Sequence, residues 1–140
     1  MNSKPALSEE LRNLIETRME HTLKAIEDTL QQILRKHEVN PINLKETIQS
    51  LERSFSLLSQ KWNMEILYIL FLRNSRGFND IKKILGVNSR TLSDKLKVLT
   101  EAGYIERSIG QEPPLRVAYS LTTRGKNTVL LALPLLYYSA

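Results

Sequence analysis

Six side chains within nine residues carry the chemistry of this chain: Ser89, Arg90, Thr91, Ser93, Asp94 and Lys97. Arg90 presents a planar fork of donors that suits two adjacent acceptors, such as guanine O6 and N7. Ser89, Thr91 and Ser93 can each donate to a phosphate or a base edge. Asp94 can accept from cytosine N4 or orient Arg90; its plainer role is an intrahelical pair with Lys95 or Lys97. A solvated arginine at a helix start is the plainer reading of Arg90. Leu92, Leu96 and Leu99 recur at helical spacing through the same stretch. If they turn inward, Arg90, Ser93, Asp94 and Lys97 turn outward together. A polar face of this kind matches a duplex groove better than a catalytic cleft.

Further cations lie around this stretch. Arg76, Lys82 and Lys83 precede it and are candidates for phosphate contacts, which set affinity and position but not sequence. Arg107 and Arg116 follow it, flanking a segment with Pro113 and Pro114. Arginines there could meet a polyanion, or else pair across strands with Glu106 or Glu112. The charge distribution agrees. Residues 1–60 hold 8 basic and 9 acidic side chains, residues 61–126 hold 12 and 6, and the rest hold none. The net charge of +5 therefore sits in one block, as expected for a polyanion-binding surface.

Other chemistry is poorly supplied. The chain has no cysteine, which excludes disulfides, thiolate metal sites, thiol catalysis and thiol sensing. Its two histidines, His21 and His37, share one polar-rich segment. No Ser/His/Asp set, metal-ligand cluster, Gly-rich phosphate loop or cleft-like acid pair can be assembled. The expectation is a non-enzyme without a cofactor. The N-terminus lacks the apolar core of a signal peptide. The longest apolar run, Val129–Leu136, is far short of the roughly 20 residues that span a bilayer. The expected location is cytoplasmic, with no membrane partner.

The elements that must hold the polar face follow from hydrophobic periodicity. From Ser8 to His37, Leu7, Leu11, Leu14, Ile15, Met19, Leu23, Ile26, Leu30, Ile33 and Leu34 form one stripe of a long helix. Val39-Asn40-Pro41 breaks it. A second amphipathic helix over Leu44–Ser59 carries Leu44, Ile48, Leu51, Phe55 and Leu58 on one face. Lys61–Arg73 is apolar nearly all round and is expected to be buried, with Trp62, Phe71 and Phe78 in the core. Asn74–Gly77 reads as a turn. A short helix over Asn79–Leu85 turns Ile81, Ile84 and Leu85 inward and ends at Gly86. Asn88 then caps the helix that runs to Glu101, and Gly103 stops it. Two strands with period two follow, Tyr104–Ile109 and Val117–Leu121. They place Ile105, Arg107 and Ile109, and Val117, Tyr119 and Leu121, on common faces. A last helix, Arg124–Tyr138, is kinked or ended by Pro134. Tyr137 and Tyr138 near its end suit a dimer interface, an effector pocket or simple packing.

Helices, hairpin, helix in this order resemble a winged helix-turn-helix, and the residues make the resemblance specific to the HxlR family. Lys61-Trp62 matches that family's start of its first core helix. Arg76-Gly77-Phe78-Asn79-Asp80-Ile81 matches the turn into the second. The run from Gly86 through Arg90-Thr91-Leu92-Ser93 to Leu99 matches its third, Gly103–Arg107 its first wing strand, and Pro114–Thr122 with Gly125 its second strand and the head of the last helix. The match covers about Ser59 to Asn127, roughly half the chain. Two features depart from the family. The Ser8–Ser59 arm is longer than the usual leader, and the frequent cysteine near the first core helix is missing.

The resemblance implies a mostly α protein with a small β-hairpin: a winged helix-turn-helix over 60–127, a helical dimerisation arm over 1–59 and a dimerising C-terminal helix over 128–140. It implies a sequence-specific transcription regulator of double-stranded DNA, acting as a homodimer with its recognition helix in the major groove and its wing at the minor groove. A small-molecule effector is possible on this reading, but nothing in the sequence indicates one. Two other functions fit the same residues: a non-specific architectural DNA binder and a protein-docking winged helix.

Overall fold

The computed structural model describes residues 9–37 and 41–139, and of 41, 42 and 136–139 only the backbone. The side chains of Tyr137 and Tyr138, and Leu7 and Ser8 ahead of the first helix, lie outside what is described. Two compact units are present, one formed by Met1–Arg53 with Ala132–Ala140, the other by Ser54–Leu131.

The first unit is helical, and the second of its helices runs on past Arg53, so that its last six residues belong to the other unit. Helix α1 (Glu9–Lys36) has acids in its first turn and bases in its last, complementing the helix dipole. Ile15 is its buried residue, while Leu23, Ile26, Leu30, Ile33 and Leu34 stay exposed along one stripe. Helix α2 (Pro41–Ser59) starts three residues before the Leu44 expected from sequence, with Pro41 as its first residue. Proline belongs there: the first-turn N–H has no intrahelical partner, and the ring already sets a helical φ. Leu44, Ile48, Leu51 and Phe55 are exposed on α2.

The second unit holds the core. It contains α3 (Asn63–Arg73), β1 (Ser75–Gly77), α4 (Phe78–Leu85), α5 (Ser89–Glu101), β2 (Ile105–Ile109), β3 (Val117–Leu121) and the head of α6 (Thr123–Ser139). The strands form an antiparallel sheet in the order β1-β3-β2. Ile66, Leu67, Leu70, Ile81, Leu92, Leu96, Leu99, Ile105 and Val129 are buried in one cluster, flanked by Tyr104 and by half-buried Trp62, Phe71 and Phe78. Burial of each such aliphatic side chain is worth about 1.5–3 kcal/mol, so this cluster, rather than any surface pair, holds the helices in place.

Several sequence expectations change here. Asn74–Gly77 is not merely a turn, because Ser75, Arg76 and Gly77 pair with Ser120, Tyr119 and Ala118 of β3. The hairpin thereby gains a third strand. Helix α3 starts at Asn63 instead of Lys61, with Trp62 ahead of it in the left-handed region (φ 79°). Asn63 is wholly buried, and its Nδ2 donates to the Leu57 carbonyl at 2.7 Å, which ties the α2–α3 turn closed. Nor is α3 buried all round: Leu72 is 74% exposed. On α4, Ile81 is fully buried but Ile84 is exposed. Ile81 and Leu85 lie four apart on one face, and Ile84, three beyond Ile81, falls on the flank. Finally, of the two outcomes expected at Pro134, a kink or an end, the helix does not end there: α6 runs on to Ser139.

Candidate nucleic-acid interface

Helix α5 is held from both ends and from beneath. The Asn88 side chain accepts from the Thr91 N–H at 2.8 Å, satisfying one of the free donors of the first turn. Before it, Gly86 closes α4 in the left-handed conformation (φ 69°), donating to the Lys82 carbonyl. That conformation costs a residue with a Cβ about 1–2 kcal/mol. After α5, Gly103 again takes a positive φ, and Thr100 and Leu99 carbonyls accept from Gly103 and Tyr104. Beneath, Leu92, Leu96 and Leu99 are at most 2% exposed. The apolar side of the helix is thus fully anchored.

Its opposite side is open. Ser89, Arg90, Ser93, Asp94 and Lys97 are exposed, and Thr91 is half-buried. Among the described residues, no hydrogen bond or ion pair engages the side chains of Arg90, Ser93, Asp94 or Lys97. The alternative pairing of Asp94 with Lys95 is not formed, because Lys95 Nζ donates to Gln60 Oε1 at 3.2 Å. Lys95 therefore fastens α5 to the turn before α3 and leaves the outward face to its neighbours.

The remaining cations fall into two settings. Lys82 is half-buried and Lys83 exposed on α4, the helix preceding the α4–α5 turn. Arg76 sits on β1, half-buried, with its Nε enclosed and without a hydrogen-bond partner among the described residues. Arg116 is exposed at the edge of the wing loop, where its carbonyl accepts from the Gly110 N–H at 2.8 Å and closes the hairpin. Arg107 lies within β2, opposite Tyr119, which in turn lies opposite Arg76. The three form one rung across the sheet, an Arg–Tyr–Arg row on a single face. Glu106 is on the other face, where the Ser120 hydroxyl donates to it at 3.5 Å, so it does not pair with Arg107. Tyr119 was not among the candidate site residues drawn from sequence. Its alternation with Val117 and Leu121 placed those three on one face of their strand, but its positions opposite Arg107 and Arg76 came only from the register of the sheet.

Between α5 and the wing runs a cleft of about 310 Å³, lined by Ser93, Lys97 and Thr100 on one side and Arg107 and Tyr119 on the other. A second cleft, of about 380 Å³, is lined by residues of α3, β1, β3 and the head of α6, with none from α5. No group of His, Cys, Asp or Glu among the described residues could hold a metal ion. No described helix is long and apolar enough to cross a membrane.

Comparison with known proteins agrees with this geometry. The family profile described as HxlR-like helix-turn-helix matches residues 57–135. The uncharacterized HTH-type transcriptional regulator YvaP of Bacillus subtilis is 35% identical over 86 residues, 61% of this chain and 79% of that protein. The HTH-type transcriptional regulator YodB of the same organism is 32% identical over 76 residues, covering 54% of this chain and 67% of YodB. The solved structure described as the reduced form of YodB superposes with a TM-score of 0.61 at 26% identity, over 64% of this chain and 88% of that chain. A MarR-family regulator from Enterococcus faecalis gives 0.57 at 27% identity, over 65% of this chain and 82% of its own.

Proposed function

This chain belongs to the HxlR-like helix-turn-helix family of DNA-binding transcriptional regulators, and from that premise we propose that it is a sequence-specific regulator acting as a homodimer. Helix α5 lies in the major groove of double-stranded DNA, and the β2–β3 wing reaches the adjacent minor groove. One observation carries this reading: α5 is anchored by three buried leucines while Arg90, Ser93, Asp94 and Lys97 stand exposed and unengaged on its other side. A helix about 10–12 Å across fits a major groove about 12 Å wide, where each base pair has its own pattern of donors and acceptors. Arg90 is the residue assigned to guanine. Ser89, Thr91, Ser93 and Lys97 supply base or phosphate contacts, and Asp94 accepts from cytosine or steers Arg90. Lys82, Lys83 and Arg76 contact the flanking backbone, and Arg116 serves the wing.

The homodimer rests on a different feature. Leu23, Ile26, Leu30, Ile33 and Leu34 on α1, and Leu44, Ile48, Leu51 and Phe55 on α2, are each at least 43% exposed in the single chain. Contiguous apolar stripes of this length are characteristic of partner surfaces, and a second copy offers the same stripes in return. Such a dimer reads two half-sites about 34–36 Å apart on one face of the duplex.

Selection of bound sequences from random DNA tests the proposal. The expected result is a two-fold symmetric motif with half-sites one helical turn apart. Binding that is equal for all sequences would replace this function with an architectural one. No binding at any salt concentration would leave a protein-docking module.

A further inference from the structure

We infer that the cleft between α5 and the wing is a seat for one backbone phosphodiester of the DNA strand that separates the two grooves, with Arg107, Lys97, Ser93 and Tyr119 as its ligands. The inference rests on the placement of α5 and the wing proposed above and adds residues to it.

The topology dictates what must cross this cleft. In a duplex, neighbouring major and minor grooves are divided by a single sugar–phosphate strand. With α5 in one groove and the tip of the hairpin in the next, that strand passes over the gap between them. The gap is the 310 Å³ cleft, floored by Leu96. Its walls suit an anion. Lys97 on α5 and Arg107 on β2 face each other across it, both exposed. Ser93 and Tyr119 add hydroxyl donors from opposite sides.

The register of the sheet explains why Arg107 belongs here and not at the hairpin tip. Arg107 shares a face with Ile105, and Ile105 is 2% exposed in the core. That face is the one turned toward α5. Tyr119, opposite Arg107, shares it with Leu121. The tip of the hairpin lies beyond Gly110, past the end of β2.

Two further groups define where the anion sits. The Thr100 hydroxyl donates to the Leu96 carbonyl at 2.6 Å, so its hydrogen is committed and it is not a ligand. Glu101 also lines the cleft, at its α5 C-terminal end. Its carboxylate repels a phosphate, which places the anion toward Ser93 and Lys97. A phosphate contact from Arg107 carries no base preference, which separates this role from minor-groove reading.

The test uses full-length protein with two duplexes, one bearing the selected operator and one of random sequence. Arg107→Gln removes one cation from an exposed position, so the fold is not at stake. It should lower the magnitude of the log–log salt slope by about 0.9 on both duplexes and leave the selected motif unchanged. Tyr119→Phe should weaken binding about tenfold with the slope unaltered, because it deletes a hydrogen bond to a charged group but no charge. A scan of single methylphosphonate linkages should find one position between the grooves where Arg107→Gln loses less affinity than the wild type, the remaining loss being the contacts of Lys97, Ser93 and Tyr119 to the same phosphate. A wild type that binds with Arg107→Gln unchanged in slope, or with its base preference altered at one position, overturns the phosphate seat alone. A wild type with no salt-dependent binding to either duplex overturns the regulator function together with it.

Discussion

Arg90 is the residue on which the proposed base reading rests most directly. It stands in the first turn of α5, exposed and without a side-chain partner among the described residues, while the side chain of the capping residue Asn88 is occupied with the Thr91 N–H. Replacing Arg90 with alanine should cost roughly 1–3 kcal/mol at one base-pair position and relax the preference there, while other positions keep theirs. Comparison of selected motifs for the two proteins measures this directly. Gly125 presents a different demand. A Cβ at that position would overlap the Tyr104 carbonyl oxygen, and backbone does not yield as a flexible side chain does. Gly125→Ala should therefore destabilise the protein by about 3 kcal/mol, the upper end for overpacking, as read from the denaturation midpoint. The resemblance to the family already placed Gly125 at the head of the last helix. Its reason, the close approach of α6 to the chain after α5, is a contact between segments distant in sequence.

At the scale of elements, the α4–turn–α5 pair adds a cap to the burial of Ile81, Leu92, Leu96 and Leu99 that holds it in place. Asn88→Ala should cost about 1 kcal/mol of stability by releasing the Thr91 N–H, and it should also raise the apparent dissociation constant for operator, since the frayed turn carries Arg90. Circular dichroism during denaturation and a binding titration report the two effects separately. These elements were legible in sequence because their signals are local: Asn88 before a leucine repeat, Gly86 and Gly103 after helical stretches, alternation over Val117–Leu121. The elements that differed from expectation are those whose state depends on a distant neighbour. Ser75–Gly77 is a strand only because β3 lies beside it. Ile84 and Leu72 are apolar yet exposed because the short helices that carry them are each covered on one side. Asn63 is polar yet buried because the Leu57 carbonyl is within reach of its amide.

For the molecule as a whole, the exposed stripes of α1 and α2 are the unfinished business of a single chain. Deleting Met1–Val39 should convert a dimer to a monomer in sedimentation and weaken operator binding, because half-site contacts would no longer be linked. A truncated protein that still sediments as a dimer would move the interface to α2 or α6. The absence of cysteine bears on regulation at the same scale. Whatever signal this chain answers, no thiol of its own takes part.

Residue types and their spacing were enough to establish a helix with one leucine side and one polar side, a wing of two alternating strands, a basic block over residues 61–126 and the family to which these belong. All are properties of neighbouring residues, where the 3.6 and 2.0 periods of the backbone translate sequence into faces. Which cations lie together was decided by the folded chain. Arg76, Tyr119 and Arg107 come from three strands separated in sequence and meet in one rung, and Lys97 faces Arg107 across a cleft between a helix and a sheet. Such neighbours are fixed by strand register and by the core beneath, and no local pattern encodes them.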